Sequence, residues 1–121
     1  MTGQTNFKDK NMIGYFGNDP RGIAQHDPGA KLDAGKTRME LVLSGFPHAL
    51  LEVGKIATYG AKKYSDGGWK HVEDAHARYT GAMIRHLLAH SSGETNDPES
   101  GLPHLGHVAW NALAILELSI C

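Results

Sequence analysis

The chain has 121 residues, a formal net charge of −1 and one cysteine, Cys121. At that length one domain is expected, with room for a modest core. The charge excludes a global basic field for nucleic acid. The cysteine count excludes a disulfide framework or a cysteine-rich zinc site. No segment approaches a membrane span or a signal peptide's apolar run, so a cytoplasmic protein with no nucleic-acid or membrane partner is expected.

Residues 1–30 are rich in Gly, Asn, Asp, Pro and Lys and show no sustained periodicity. They read as an irregular N-terminal arm, with a short extended piece at 12–16, ahead of one helical domain over 31–121. His26-Asp27 lacks the earlier histidine and the helical setting that HD-type hydrolysis needs. "GAKLDAGKT" has five residues between its first glycine and Gly-Lys-Thr, and no strand precedes it. A phosphate cradle depends on loop length, so this is not a P-loop, although Lys36 and Arg38 remain cations available to phosphate. "KTRMELVLSGF" reads as a short amphipathic piece ending at Gly45.

Three longer helices are expected next. The first runs over 47–63 with Pro47 near its start. Its His48, Glu52, Lys55 and Tyr59 share one face, and Leu50, Val53 and Ala57 share another. "SDGGW" reads as a loop. The second helix, roughly 72–90, carries Arg78, Arg85, His86 and His90. "SSGETNDPESG" is a polar loop that brings Glu94, Asp97 and Glu99 toward the third helix, and it lacks the alternating ligands of an EF-hand. Pro103 suits that helix's first position. Leu105, Ala109, Ala112 and Leu116 then form an apolar stripe, while His104, His107 and Asn111 line up on a different face. Strand signals are weak throughout, and the expected fold is an all-α bundle. Gly54, Gly60, Gly81 and Gly106 lie inside the helices and mark close helix approach or room for a ligand.

Of the eight histidines, six (His71, His76, His86, His90, His104 and His107) fall in the second half of the chain. Carboxylate with imidazole suits a divalent ion, and arginine and lysine suit phosphate oxygens. Together they suit metal-assisted attack of water on a phosphoanhydride.

The pieces "KLDAGK", "YGAKKY", "RHLLA" and "GETNDPESGLPHLGH" carry a resemblance over roughly residues 31–118. The chain resembles the phage dATP/dGTP diphosphohydrolases, a branch of the MazG-like all-α pyrophosphohydrolases. Within that branch it is most similar to the MazZ group of phages that replace adenine with 2-aminoadenine. The resemblance implies cleavage of a purine nucleoside triphosphate, dGTP or GTP, to the monophosphate and pyrophosphate. It further implies Mg²⁺ or Mn²⁺ as cofactor, supply of dGMP for 2-aminoadenine nucleotide synthesis, and a homo-dimer or homo-tetramer.

MazG-like enzymes carry E-x-x-E on one helix and E-x-x-D on a later one. Here Glu52 stands at the first position and Lys55 at the second, while His104-x-x-His107 stands where later acids are expected. Imidazoles on that face make Mn²⁺ more fitting than Mg²⁺. The resulting assignment is Glu52, Asp97 and His86 as catalytic residues, with Glu52, Asp97, Glu99, His104 and His107 as metal ligands. Lys36, Lys62, Arg78, Arg85 and Asn111 are expected to bind substrate. Trp69 or Tyr64 is available to stack on the base, with a core role for the tryptophan as the alternative. Two other readings stand beside this one: a non-enzymatic helical binding module on a decayed MazG scaffold, and a zinc-dependent hydrolase using the histidine cluster.

Overall fold

The computed structural model describes residues 17–121; the extended piece expected at 12–16 lies outside them. The described residues fall into two units, 17–42 with Ile120 and Cys121, and 43–119.

The first unit is irregular because side-chain and turn hydrogen bonds, rather than a ladder, satisfy its backbone. Asp19 organises it. Its carboxylate accepts from the N–H groups of Arg21 and Lys31, each at 2.7 Å, and of Ile23 at 3.4 Å. The Ala34 N–H donates to the Asn18 carbonyl at 2.6 Å. A side chain at Gly17 would put its Cβ 2.7 Å from the Leu32 carbonyl oxygen, so only glycine fits this close crossing.

The fold is all-α, as expected, with four α-helices and no strand among the described residues. They are α1 (Glu40–Gly45), α2 (Pro47–Lys63), α3 (Ala75–Ser91) and α4 (His104–Ile120). Helix α2 has the expected bounds. Pro47 opens it, and Lys62 and Lys63 sit in the last turn, where cations offset the helix dipole. The "SDGGW" segment leads into a 3₁₀ turn, Gly68–His71. Helix α3 begins three residues later than expected. Val72 is extended and Asp74 is left-handed at φ 54°, so helical geometry cannot start before Ala75. It ends where Gly93 (φ 104°) donates its N–H to the His90 carbonyl.

The loop from α3 to α4 folds back on itself. The Asp97 N–H bonds the Leu102 carbonyl at 2.8 Å, Gly101 bonds Asp97 at 2.7 Å and His104 bonds Thr95 at 2.9 Å. These bonds fix the loop's acids beside the start of α4.

Helix α4 turns its polar line inward. His104, His107 and Asn111 are buried, at 3, 8 and 5 % exposure, while Leu105 and Leu116 of its apolar stripe are about half exposed. Ile56 and Ala114 are the buried apolar residues among those described. Gly106 lets α2 approach, since an added Cβ would sit 3.4 Å from Ile56 Cγ1 and 3.9 Å from Glu52 Cβ. Gly54 and Gly60 have open space instead. Trp69, Tyr79 and Trp110 form edge-on aromatic pairs at 5.5–5.6 Å, and the Tyr79 hydroxyl donates to the Trp69 carbonyl at 2.9 Å. Trp69 is thus a packing residue. An apolar groove between α2 and α4, lined by Phe46, Leu50, Val53, Ala109, Leu113 and Leu116, is open to solvent.

Candidate functional site

Three elements converge at the start of α4. Helix α4 supplies His104 and His107, one turn apart on its buried face. Helix α3 supplies His86. The folded loop supplies Glu94, Asp97 and Ser100. His86 Nδ1 and His104 Nδ1 lie 2.8 Å apart. The other nitrogen of His104, Nε2, is 2.7 Å from Glu94 Oε1. The His107 ring stacks on that of His86, with centroids 4.2 Å apart and planes within 5°. His107 Nε2 is 2.8 Å from Ser100 Oγ and 3.6 Å from Asp97 Oδ2.

Electrostatics follow from this burial. Burial pushes the His86 imidazole below its ordinary range; the Asp97 charge opposes this and His104 adds to it. Burial does the same to His107, reinforced by the neighbouring His86. Both rings are therefore uncharged near pH 7, and the approach of His107 to Asp97 is a polar contact rather than an ion pair. Burial pushes the Asp97 carboxyl up. The Ser100 N–H at 3.0 Å and the Ser100 hydroxyl outweigh that and hold it below the ordinary carboxylate range. The centre thus presents lone-pair nitrogens and a carboxylate together.

A second polar group borders it. Glu99 accepts from the Tyr59 hydroxyl at 2.8 Å, and Lys63 Nζ lies 3.0 Å from both of its oxygens. These donors lower the Glu99 carboxyl, Tyr59 first, and Glu99 in turn raises Tyr59 and Lys63. They tie the loop to the end of α2, and the Tyr59 ring stands edge-on to His107 at 6.4 Å.

The structure brings together His86, Asp97, His104 and His107 of the expected residues, and sets Glu99 beside them through its own ion pair. Glu52 lies on α2 against Gly106. Its Oε1 is 3.4 Å from Lys55 Nζ, and its Oε2 is buried without a hydrogen-bond partner. Asn111 spends its amide on the His107 carbonyl at 2.7 Å, one turn back in the same helix. Arg78 is exposed and reaches the Glu73 carbonyl; Arg85 is exposed with its guanidinium over Gly81. Lys62 is exposed at the end of α2. Lys36 lies in the first unit, in a turn closed by its N–H on the Asp33 carbonyl. Sequence reasoning missed Ser100, which orients both Asp97 and His107, and the Tyr59–Lys63 clamp. Two cues were available: the Asp97/Ser100 spacing of a side-chain turn, and the i, i+4 pairing of Tyr59 with Lys63.

This is an all-helical domain built around a buried imidazole–carboxylate centre. Residues 26–121 match the family described as dATP/dGTP diphosphohydrolase, N-terminal, so the whole centre lies inside the matched segment. The chain belongs to that family. It is also similar to a protein of Salmonella phage PMBT28 named dATP/dGTP diphosphohydrolase, with 30 % identity over 90 residues. That alignment covers 74 % of this chain and 29 % of the phage protein, so the chain spans well under a third of that relative's length. No solved structure matches the chain. Among the described residues, no helix is long and apolar enough to cross a membrane.

Proposed function

We propose that this chain hydrolyses a purine deoxynucleoside triphosphate, dGTP in preference, to the monophosphate and pyrophosphate. The observation that carries the reading is the buried His86–Asp97–His104–His107 centre within the segment that matches the diphosphohydrolase family. The phage relative's name supports the substrate class. The preference for guanine and the supply of dGMP for 2-aminoadenine nucleotides, in the cytoplasm of an infected cell, rest on the resemblance to the MazZ group.

The resemblance implies Mn²⁺ or Mg²⁺, and the donor set present fits a divalent ion, Mn²⁺ better than Mg²⁺. The imidazoles of His86 and His104 and the Asp97 carboxylate converge there, and burial lowers the His86 imidazole, which favours its lone-pair form. Such an ion supplies positive charge to the phosphate oxygens as pyrophosphate departs. The chain's own groups do the rest. A water oxygen attacks the α-phosphorus, the bond from it to the α–β bridging oxygen breaks, and pyrophosphate leaves with that electron pair. The water's proton passes to Glu52, whose buried Oε2 has a lone pair no donor occupies, whereas the Asp97 carboxylate accepts from Ser100. Arg78, Arg85 and Lys62 are the cations assigned to the triphosphate.

The reading includes a homo-oligomer. Phe46, Leu51, Leu113 and Leu116 are each more than half exposed, while the buried apolar set among the described residues is Ile56 and Ala114. A chain of this length needs more covered hydrocarbon than that, and a second copy laid on the α2–α4 groove would supply it.

The test is incubation with each common NTP and dNTP, with Mn²⁺ or Mg²⁺, and separation of the products by chromatography. Deoxyguanosine monophosphate and pyrophosphate are expected first. Nucleoside diphosphate and orthophosphate as initial products would overturn the reading.

A further inference from the structure

We propose that the imidazole–carboxylate centre is a site for a first-row transition-metal dication, held by His86 Nδ1, His104 Nδ1 and the Asp97 carboxylate, with Glu94 as the outer carboxylate that aims His104. The inference deepens the diphosphohydrolase reading and rests on it for the ion's purpose. It narrows the ion class and names the ligand atoms.

The geometry comes first. One ligand atom from each of His86, Asp97 and His104 lies within 4.8 Å of the others, the spacing of donors around a single ion. They come from α3, the loop and α4, so only the folded chain assembles them.

The second observation is the direction of the His104 ring. Its Nε2 faces Glu94 Oε1 at 2.7 Å, which assigns the ring proton to Nε2 and leaves Nδ1 as the lone-pair nitrogen. A carboxylate behind a histidine fixes the tautomer and ring angle of a metal ligand in this way. Only 3 % of His104 is exposed, so water does not compete for Nδ1.

The third is what Nδ1 faces. It meets Nδ1 of His86 at 2.8 Å, a separation that either one shared proton or one bound cation accounts for. Without an ion, the His86 Nδ1–H donates to His104 Nδ1. With an ion, that proton moves to Nε2 of His86, and both Nδ1 lone pairs point at the cation with no net proton lost.

His107 is a positioning residue: it stacks on His86 and reaches Asp97 from behind. Two nitrogens and one carboxylate suit Mn²⁺, Co²⁺ or Zn²⁺, whereas Mg²⁺ demands oxygen and retains its water.

The experiment is titration of the metal-stripped chain with Co²⁺ alone, without nucleotide, read by visible d–d absorption and by calorimetry. One high-affinity Co²⁺ per chain is expected, undisturbed by a hundredfold excess of Mg²⁺. His86→Gln and Asp97→Asn are each expected to weaken binding at least tenfold. Glu94→Gln is expected to weaken it by about 10–100-fold, the range for an outer-shell partner. Circular dichroism reports whether each variant folds. Should His86→Gln unfold, the imidazole nitrogen resonances of the native chain decide instead, since Co²⁺ or Zn²⁺ must shift Nδ1 of His86 and His104 and leave His48 unmoved. Unchanged Co²⁺ affinity in folded His86→Gln, displacement by Mg²⁺, or loss of binding in Glu52→Gln alone would overturn the proposal. Because no nucleotide is present, failure to hydrolyse dGTP leaves this result standing, and failure to bind Co²⁺ leaves the nucleotide assay standing.

Discussion

Glu52→Gln separates chemistry from folding. The carboxylate makes one contact with a cation, Lys55 Nζ at 3.4 Å on the same helix, and both side chains are substantially exposed. Such an i, i+3 pair contributes about 0.3–0.5 kcal/mol at most. The other oxygen, Oε2, is buried and accepts no hydrogen bond, so the amide forfeits nothing there and relieves a charge. The two effects oppose one another, and the net change in stability is expected to stay within about 0.5 kcal/mol. Turnover behaves differently. A general base contributes roughly 10²–10⁴ to the rate, which is about 3–5 kcal/mol of transition-state free energy. The assay is initial-rate pyrophosphate release from dGTP at saturating Mn²⁺, with thermal unfolding of the same preparation. A fall of at least a hundredfold in kcat with an unmoved Tm is expected. Near-normal kcat at saturating metal would refute the reasoning and leave Glu52 as an ordinary residue of α2.

Arg85→Ala is expected to raise KM for dGTP with little change in kcat, because a surface cation meets the triphosphate equally in ground and transition states; steady-state kinetics check it. Gly106→Val is expected to destabilise by about 1–3 kcal/mol, since branched methyls must extend past a Cβ already 3.4 Å from Ile56, whereas Gly106→Ala is expected near neutral; denaturant unfolding distinguishes them. Leu113→Lys is expected to convert the proposed homo-oligomer to monomer, read by light scattering, because it places a charge on the open α2–α4 groove. The Lys31 N–H holds the Asp19 carboxyl below its ordinary 3.8, assisted by Arg21 and Ile23 and opposed by slight burial. The stability this gives is present above 3.8 and lost as pH falls through the lower folded value. An amide proton titration of Lys31 is expected to show a midpoint below 3.8.

Helix α2 was legible to the residue because its signals are local: Pro47 opens it, lysines close it, and its periodicity is sustained between. The start of α3 was not, because a left-handed Asp74 is a backbone choice that periodicity does not register. His104, His107 and Asn111 were legible as a line, but their burial was not. Hydropathy assigns the inside of a helix to its leucines, and here Leu105 and Leu116 face outward. The partners of that line were the hardest to read. Ser100 and Glu94 reach His107 and His104 only because the loop folds back through backbone bonds between residues 95–104, a geometry no linear spacing encodes.

Burying imidazoles in place of leucines lowers what this chain gains from its own core, since each buried polar atom gives at best a modest net return. The arrangement is tolerable because each imidazole at the centre has at least one partnered ring nitrogen. His104 has Glu94 and His86, and His107 has Ser100 with Asp97 behind it. A connected polar centre resists rearrangement, and a site needs that to hold ligand atoms in place before its ligand arrives. The same choice leaves Leu113 and Leu116 of α4 exposed, beside Phe46 at the start of α2. The centre and the exposed groove are thus two consequences of one decision about which face of α4 turns inward: the residues that ready the chain for chemistry also leave it with hydrocarbon to bury elsewhere.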